Sequence, residues 1–295
     1  MRTLHRLLCI FLLLPVAAQP VAADPVVVRY PRAESIDDER GEFGQALLKM
    51  ALERAGGHYR VELSSARMQQ NRAIVELQAA NGRVDIVGTM TSLERERLLL
   101  PVRIPITRGL IGWRLALLRA DRKNLLRTVR RVEDLKRLVA VQGHDWPDLQ
   151  ILRASGLTVH PVAVYSGVFG MLNAGRIDWA PRSLNEIWAE AGRHPELAID
   201  PYIALHYPTA DYFFVNRNNP ALAEEIRRGL ESALADGSFE QLFYLHYGPL
   251  IRRARLDQRV IIQLPNPLLS PETPLARKEL WFSLDDLARH ASTKE

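Results

Sequence analysis

Cysteine is almost missing from this sequence, since its 295 residues contain only one, Cys9. A single thiol cannot form an intramolecular disulfide, and it leaves no pair of cysteines for a zinc site. Cys9 also lies in an N-terminal apolar run that we expect to be removed from the mature chain. We therefore expect the mature protein to have no disulfide, no thiol nucleophile and no cysteine-bound metal.

Long hydrophobic runs are also missing, apart from a short one near the N terminus. Basic Arg2 and Arg6 precede the apolar run 7–16, and residues 21–23 read Val-Ala-Ala. A basic start, a short apolar core and small residues in this order are typical of a secretory signal peptide. The run is shorter than the about 20 residues that span a membrane. We expect residues 1–23 to be cleaved and the mature protein to act in the periplasm.

Charge and motifs give no sign of nucleic-acid binding, metal binding or a common catalytic mechanism. The 39 Lys and Arg residues stand against 34 Asp and Glu residues, a net charge of +5, without a concentrated basic stripe. No His-x-x-x-His spacing, Gly-x-Ser-x-Gly turn or Gly-rich phosphate loop occurs. We therefore expect no nucleic-acid partner, no metal, no cofactor and no enzymatic activity.

Strand and helix patterns alternate along the chain, which predicts an α/β fold. Near the N terminus, the apolar or alternating segments 26–28, 59–63 and 84–87 are separated by two segments with helical spacing of apolar residues. A second alternating set follows between residues 113 and 213. Two such sets predict two lobes, each with its own mostly parallel sheet.

The apolar segments 110–118 and 212–215 bracket the second set, and we interpret them as two hinge connections that make the first lobe discontinuous. The predicted boundaries are 1–23 for the signal peptide, 24–112 for the first part of lobe 1, 113–213 for lobe 2, 214–249 for the closing helices of lobe 1, and 250–295 for a C-terminal extension. Four prolines and the sequence Leu280-Trp281-Phe282 suggest that this extension packs on lobe 1.

Hydroxyl and guanidinium groups follow the third predicted strand. Thr89 and Thr91 come directly after it, and Arg95 and Arg97 lie on the next helical turn. Side chains at the carboxyl end of a buried strand in an α/β sheet commonly line a ligand site. An arginine there can hold a carboxylate with its planar fork, and either Arg95 or Arg97 fits this role.

These segments, in this order, resemble the family-3 extracytoplasmic solute-binding proteins, which include the amino-acid receptors of ABC importers. The likeness covers about residues 26–248. The matching motifs are Gly41-Glu42-Phe43, the segment from Ala73 to Pro105 with Glu94-Arg95, Gly175-Arg176-Ile177-Asp178 and Asn219-Pro220-Ala221-Leu222. The resemblance implies two hinged lobes that close on a small solute and deliver it to a membrane importer.

The second lobe departs from the family at the acidic residue that holds a ligand's α-amino group in the amino-acid receptors. That position falls near Ser183, which cannot neutralise an ammonium, and Arg182 stands beside it. With Arg95 or Arg97 facing Arg182 across the cleft, we expect a small anionic or zwitterionic solute. The further predicted ligand contacts are Tyr30, His144 and Trp146.

Two other functions are compatible with the sequence. Some cyclic-acid dehydratases resemble these receptors and use a cleft carboxylate for proton transfer, a role open to Glu94, Glu96 or Glu186. The alternative is a sensing module without a transporter, which would dock through the C-terminal extension. For each of these functions we expect a monomer.

Overall fold

The computed structural model describes residues 24–36, 38 and 40–286. The predicted signal peptide, residues 1–23, lies outside the described residues. No helix in the part of the chain that the structure describes is long and apolar enough to cross a membrane.

Strands and helices alternate along the described chain, as the sequence predicts. The strands are β1 (Val26–Arg32), β2 (Tyr59–Arg67), β3 (Ile86–Met90), β4 (Leu100–Val102), β5 (Trp113–Arg119), β6 (Val139–Gly143), β7 (Thr158–Val162), β8 (Ala180–Ser183), β9 (Leu197–Ile199), β10 (Ile203–His206), β11 (Asp211–Val215) and β12 (Val260–Gln263). The helices are α1 (Glu42–Arg54), α2 (Gln70–Ala79), α3 (Leu93–Leu98), α4 (Val132–Leu135), α5 (Pro147–Ala154), α6 (Tyr165–Asn173), α7 (Ile187–Arg193), α8 (Pro220–Ala235) and α9 (Ser238–Ala254).

Helix α8 illustrates how local sequence sets these elements. The Asn219 side chain caps it by accepting a hydrogen bond from the Leu222 N–H at 3.2 Å. Pro220 occupies the first turn, where a missing N–H costs nothing. Ile226 and Leu230 share one face with Leu222, and this face is buried. The helix therefore forms where its cap and its apolar spacing predict it.

The strands next to the hinge run antiparallel to their neighbours, so the prediction of mostly parallel sheets is wrong there. β1 pairs in parallel with β2, and β6 with β7. In contrast, β11 runs antiparallel to β3 and β4, and β5 runs antiparallel to β8, β9 and β10. A chain that enters a lobe and then returns beside its own entry strand must reverse direction, which makes these pairs antiparallel.

The two connections between the lobes lie side by side. The Tyr207 N–H donates to the Gly112 carbonyl oxygen at 3.2 Å, and the Ile106 N–H donates to the Asp211 carbonyl oxygen at 2.8 Å. A side-chain carbon at Gly112 would collide with the Tyr207 carbonyl group, so glycine permits this close approach. Two adjacent connections allow one lobe to rotate on the other as a hinge.

The C-terminal extension contacts both lobes, and not only the first lobe on which the sequence predicts it to pack. Strand β12 pairs in parallel with β10, which itself pairs with β5 in the second-lobe sheet. Further along, the Leu93 N–H of α3 donates to the Leu268 carbonyl oxygen at 3.2 Å. The Phe282 N–H donates to the Arg108 carbonyl oxygen at 2.7 Å. The extension thus links the second-lobe sheet to a first-lobe helix.

Candidate functional site

A cavity of about 180 Å³ lies between the two lobes. Tyr30 and Arg32 line it from β1, and Asp211 lines it from the start of β11. Arg114 of β5 and Glu186, just before α7, line it from the second lobe. Charged side chains from both lobes therefore meet around one cavity, which is a common setting for a small-molecule site.

The structure brings only part of the predicted ligand contacts to this space. Tyr30, Trp146 and Arg182 line the cavity. Arg95 and His144, together with Trp146, line a second cavity of about 300 Å³ that also lies between the lobes. The predicted residues that line neither cavity are Thr89, Thr91, Arg97 and Ser183.

The hydroxyl group of Tyr30 lies in a narrow space next to two glycines. A side-chain carbon would lie 2.5 Å from the Tyr30 hydroxyl oxygen at Gly88 and 2.9 Å from it at Gly44. Burial raises the pKa of Tyr30, and the negative charge of Asp211 raises it further. The hydroxyl group therefore stays protonated at neutral pH and keeps a proton to donate.

The guanidinium group of Arg95 is buried among neutral oxygen atoms. Nη1 donates to Thr89 Oγ1 at 2.9 Å and to the Met90 carbonyl oxygen at 2.8 Å. Nη2 donates to Gln70 Oε1 at 2.6 Å and to the Asp145 carbonyl oxygen at 3.1 Å. Burial lowers the pKa of Arg95 to about 10, so the group is charged at neutral pH. Because Asp145 belongs to the second lobe, Arg95 joins the two lobes directly.

The other polar residues of the segment that follows β3 have different partners. Thr91 Oγ1 donates to Glu96 Oε1 at 2.6 Å, and Glu96 also pairs with Arg103 at 2.7 Å. The side chain of Arg97 is exposed, and its backbone carbonyl accepts from Arg217. Of the two arginines that the sequence offers, Arg95 is therefore the one that reaches the boundary between the lobes.

The guanidinium group of Arg182, on β8, is buried among carboxylates. Nε and Nη2 donate to the two carboxylate oxygens of Glu190 at 2.8 and 2.6 Å, and Nη2 lies 2.9 Å from Glu186 Oε2. Burial alone would lower the pKa of Arg182, but the charges of Glu186 and Glu190 raise it well above its usual value. A ligand carboxylate would have to compete with these two residues for Arg182.

The carboxylate of Glu186 is held by groups of the second lobe. The Ser183 N–H donates to Glu186 Oε1 at 2.9 Å, and Arg114 Nη1 lies 3.2 Å from the same oxygen. Arg114 also pairs with Asp148 at 2.6 Å. Burial would raise the pKa of Glu186, but the charges of Arg182 and Arg114 outweigh it and lower the pKa. Glu186 is therefore ionised, and Ser183 acts through its backbone.

Asp211 is a carboxylate of the cavity that takes part in no ion pair within the described residues. Its Oδ1 accepts from the Thr107 N–H at 3.1 Å and from the Thr107 hydroxyl at 2.7 Å. Burial raises the pKa of Asp211, although the Thr107 hydrogen bonds and the more distant charge of Arg114 oppose this. Sequence reasoning missed Asp211 because an aspartate at a strand start carries no motif.

Arg32 is the arginine of the cavity without an ion-pair partner in the described chain. Its Nε donates to the Ser64 carbonyl oxygen at 2.9 Å, which orients the side chain. Tyr30 and Arg32 are two positions apart on a strand, the spacing that repeats on one face. This spacing could have indicated from the sequence that Arg32 lies beside Tyr30. No sequence pattern indicates a role for Arg114.

His144 and Trp146 lie in the turn between β6 and α5. The His144 ring is half exposed, and its Nδ1 lies 3.2 Å from the Val162 carbonyl oxygen. The Trp146 ring lies against Gly143, where any side chain would collide with it. The guanidinium carbon of Arg182 lies 4.7 Å from the centre of the Trp146 ring. Trp146 lines both cavities and thus forms part of the wall between them.

Comparisons with known proteins support the fold. The sequence matches no protein-family model and no curated protein. An ancestral arginine-binding protein bound to arginine is 20% identical, with a TM-score of 0.58 over 75% of this chain and 98% of that chain. A periplasmic His/Glu/Gln/Arg/opine family-binding protein from Silicibacter pomeroyi, in complex with lysine, is 14% identical, with a TM-score of 0.56 over 75% of this chain and 97% of that chain.

A third solved structure is the ancestral amino-acid-binding protein AncCDT-1, a precursor of cyclohexadienyl dehydratase. It is 16% identical, with a TM-score of 0.55 over 75% of this chain and 95% of that chain. At these identities the likeness defines the fold. The two-lobe α/β fold that the sequence predicts is thereby confirmed, and the resemblance to family-3 solute-binding proteins extends to the tertiary structure.

Proposed function

We propose that this protein is a solute-binding protein that captures a small molecule between its two lobes. The observation that carries the proposal is the cavity between the lobes, lined by charged groups from both lobes and by hydroxyl groups of the first lobe. Its volume of about 180 Å³ is below the roughly 300–1,000 Å³ of pockets for drug-sized ligands, so a solute of amino-acid size fits. Closure of the lobes would exclude water and strengthen each hydrogen bond to the solute.

The charges around the cavity favour a zwitterionic solute over a purely anionic one. Arg114 and Arg182 are paired with carboxylates, so they offer little net positive charge. Asp211 and Arg32 also line the cavity, and neither has an ion-pair partner in the part of the chain that is described. A solute with an ammonium and a carboxylate group would supply a partner for each.

Two predicted contacts have defined roles in this arrangement. The Tyr30 hydroxyl lies close enough to Asp211 for the carboxylate to affect its pKa, and it can donate to a solute oxygen. The Trp146 ring lines the cavity and can pack against the carbon skeleton of the solute. Arg182 acts indirectly, because it holds Glu186 in place.

Delivery to an ABC-type importer in the periplasm is part of the same proposal. The signal-peptide pattern of residues 1–23 supports export. One structural neighbour is a substrate-binding protein of an amino-acid ABC transporter, 16% identical with a TM-score of 0.55. A monomer that rotates about its hinge is sufficient for this role.

Isothermal titration of the chain from Asp24 onwards tests the proposal. The panel contains amino acids, amines and organic acids of similar size. We expect a zwitterion to bind the wild type, and Asp211→Asn or Arg32→Gln to weaken it by about tenfold or more, the loss of one charged hydrogen bond. Arg60→Gln, on the exposed Arg60 of β2, is the matched control. Equal binding of an amine-free acid to the wild type and to Asp211→Asn would contradict the zwitterion.

A proton-transfer enzyme on the same scaffold is a second candidate, favoured by Asp211. A carboxyl group with a raised pKa in a desolvated cavity suits general acid–base catalysis. The carboxylates named from the sequence fit this role less well. Glu96 lines neither of the two cavities, Glu94 lines only the second one, and the pKa of Glu186 is lowered.

Incubation with prephenate-like cyclic acids separates the enzyme from the receptor. Turnover that disappears in Asp211→Asn and persists in Arg60→Gln would establish the enzyme. Saturable binding of a solute without turnover of any cyclic acid would favour the receptor.

A further inference from the structure

Arg40 of the first lobe contacts two aromatic rings of the second lobe. Its guanidinium carbon lies 4.4 Å from the centre of the Tyr165 ring and 5.7 Å from the centre of the Trp146 ring. These distances are within the roughly 6 Å at which a cation interacts with a ring face. Arg40 lies just before α1 in the chain, and its side chain therefore reaches across the cleft.

The guanidinium fork of Arg40 is also held by a carboxylate. Nε and Nη2 donate to the two oxygens of Asp38, both at 2.7 Å. The Asp38 side chain is nearly buried. A carboxylate that binds a guanidinium group bidentately, combined with two ring faces, is the arrangement that proteins use to bind this cation.

The aromatic part of the arrangement is rigid and is built by the second lobe itself. The Tyr165 hydroxyl donates to Glu190 Oε1 at 2.7 Å, and Glu190 is fixed by Arg182. The Trp146 ring is fixed against Gly143, as described above. The rings therefore have partners other than Arg40, and they should stay in place when Arg40 is shortened.

We propose that Arg40 occupies, from within the chain, a guanidinium-binding site formed by Asp38, Trp146 and Tyr165 between the two lobes. The first lobe supplies both the cation and its carboxylate, and the second lobe supplies the rings. An arginine side chain thus makes the contact between lobes that a cationic ligand would otherwise make. Asp38, Arg40 and Trp146 also line the cavity between the lobes, but they are a different set of residues from Asp211 and Arg32, and the experiment below uses a guanidinium probe in place of the proposed solute.

Shortening Arg40 should open this site to a free guanidinium compound. We expect methylguanidinium, at concentrations far below those that denature proteins, to bind Arg40→Ala at least about tenfold more tightly than the wild type in isothermal titration. Small-angle scattering should show a larger radius of gyration for Arg40→Ala, which methylguanidinium should reduce. Adding Tyr165→Leu to Arg40→Ala should abolish the binding.

A matched control comes from α8. Arg227 pairs with Glu224 through the same two nitrogens, at 2.8 and 2.6 Å, but on the exposed surface. Arg227→Ala should behave like the wild type in both measurements. If Arg40→Ala does not fold, Arg40→Lys replaces it in the experiment. This variant keeps the positive charge but loses the planar guanidinium group, so it should bind methylguanidinium more tightly than the wild type. Equal affinity for the wild type and a folded Arg40 variant would overturn the proposal.

Discussion

Two buried arginines, one in each lobe, have opposite electrostatic surroundings. Arg95 in the first lobe donates to a hydroxyl group, an amide oxygen and two backbone carbonyls. Arg182 in the second lobe donates to carboxylates. Burial lowers the pKa of Arg95 to about 10, whereas Glu186 and Glu190 raise the pKa of Arg182 against the effect of burial. Both groups are charged at neutral pH, but the positive charge of Arg182 is compensated by two carboxylates, whereas Arg95 donates only to neutral oxygens.

A third arginine separates the effect of burial from the effect of geometry. Arg277, in the C-terminal extension, binds Glu231 bidentately at 2.7 and 2.9 Å, much as Arg182 binds Glu190. The Arg277 side chain is 39% exposed, however, and that of Arg182 is 1% exposed. Ion pairs of similar geometry should thus contribute differently to stability, because only one has been removed from water.

Removal of Arg182 should have the largest effect. Arg182→Ala leaves the carboxylates of Glu190 and Glu186 buried without their main counter-charge. Loss of one partner from a buried pair costs about 3–5 kcal/mol, and we expect a decrease of this size in the free energy of unfolding in urea at pH 7. Combining Arg182→Met with Glu190→Leu should recover most of the loss. A decrease below about 1 kcal/mol would show that the pair is hydrated.

Removal of Arg95 should have a smaller effect. Arg95→Met leaves neutral oxygens without their donor, and an unsatisfied buried group of this kind costs about 1–3 kcal/mol. The measurement is again unfolding in urea at pH 7. Hydrogen exchange should also increase near Asp145, because the hydrogen bond between the lobes is lost. A decrease in stability as large as that of Arg182→Ala would contradict the contrast between the two arginines.

Asp211 should make stability depend on pH in a defined direction. Its pKa is raised in the folded protein, so its contribution to stability is complete below the unfolded pKa of about 3.9 and is lost as pH rises through the folded pKa. Asp211→Asn cannot ionise, and its free energy of unfolding should rise relative to the wild type between about pH 4 and pH 7. We expect this gain to be smaller than either loss above. If the free energies of unfolding of the wild type and Asp211→Asn change with pH in parallel, this prediction is wrong.

Removal of Arg277 should have the smallest effect. The exposed pair with Glu231 exchanges its contacts for water, so Arg277→Ala should change the free energy of unfolding by about 0–1 kcal/mol. The change should shrink further at high salt, because exposed ion pairs are screened. A loss comparable to that of Arg182→Ala would mean that bidentate geometry, and not burial, sets the contribution.

Long elements with a clear period were predictable, whereas several of the short strands were not. Helices α1, α2 and α8 follow from the spacing of apolar residues and from end signals such as Asn219 and Gly56. Strands β4, β10 and β12 have only three or four residues, too few to display an alternation. β12 also depends on a partner far away in sequence, β10, so only the folded chain reveals its place.

For the candidate site, residue types were easier to predict than their partners. Tyr30, Trp146 and Arg182 were named from their positions after predicted strands, and they line the cavity. Arg40 was missed because the segment between β1 and α1 shows no pattern that sets it apart from other polar loop residues. Its role comes from rings more than 100 positions further along the chain.

By itself the sequence determined that this chain folds into two α/β lobes, because hydrophobic period, caps and turn residues act over a few neighbouring positions. Only the tertiary structure decided which charges in the cleft are neutralised. Whether an arginine meets a carbonyl oxygen, as Arg95 does, or a carboxylate, as Arg182 does, depends on groups brought together from separate elements. Burial then determines how strongly each charge interacts with its neighbours, since electrostatic interactions become stronger as water is excluded.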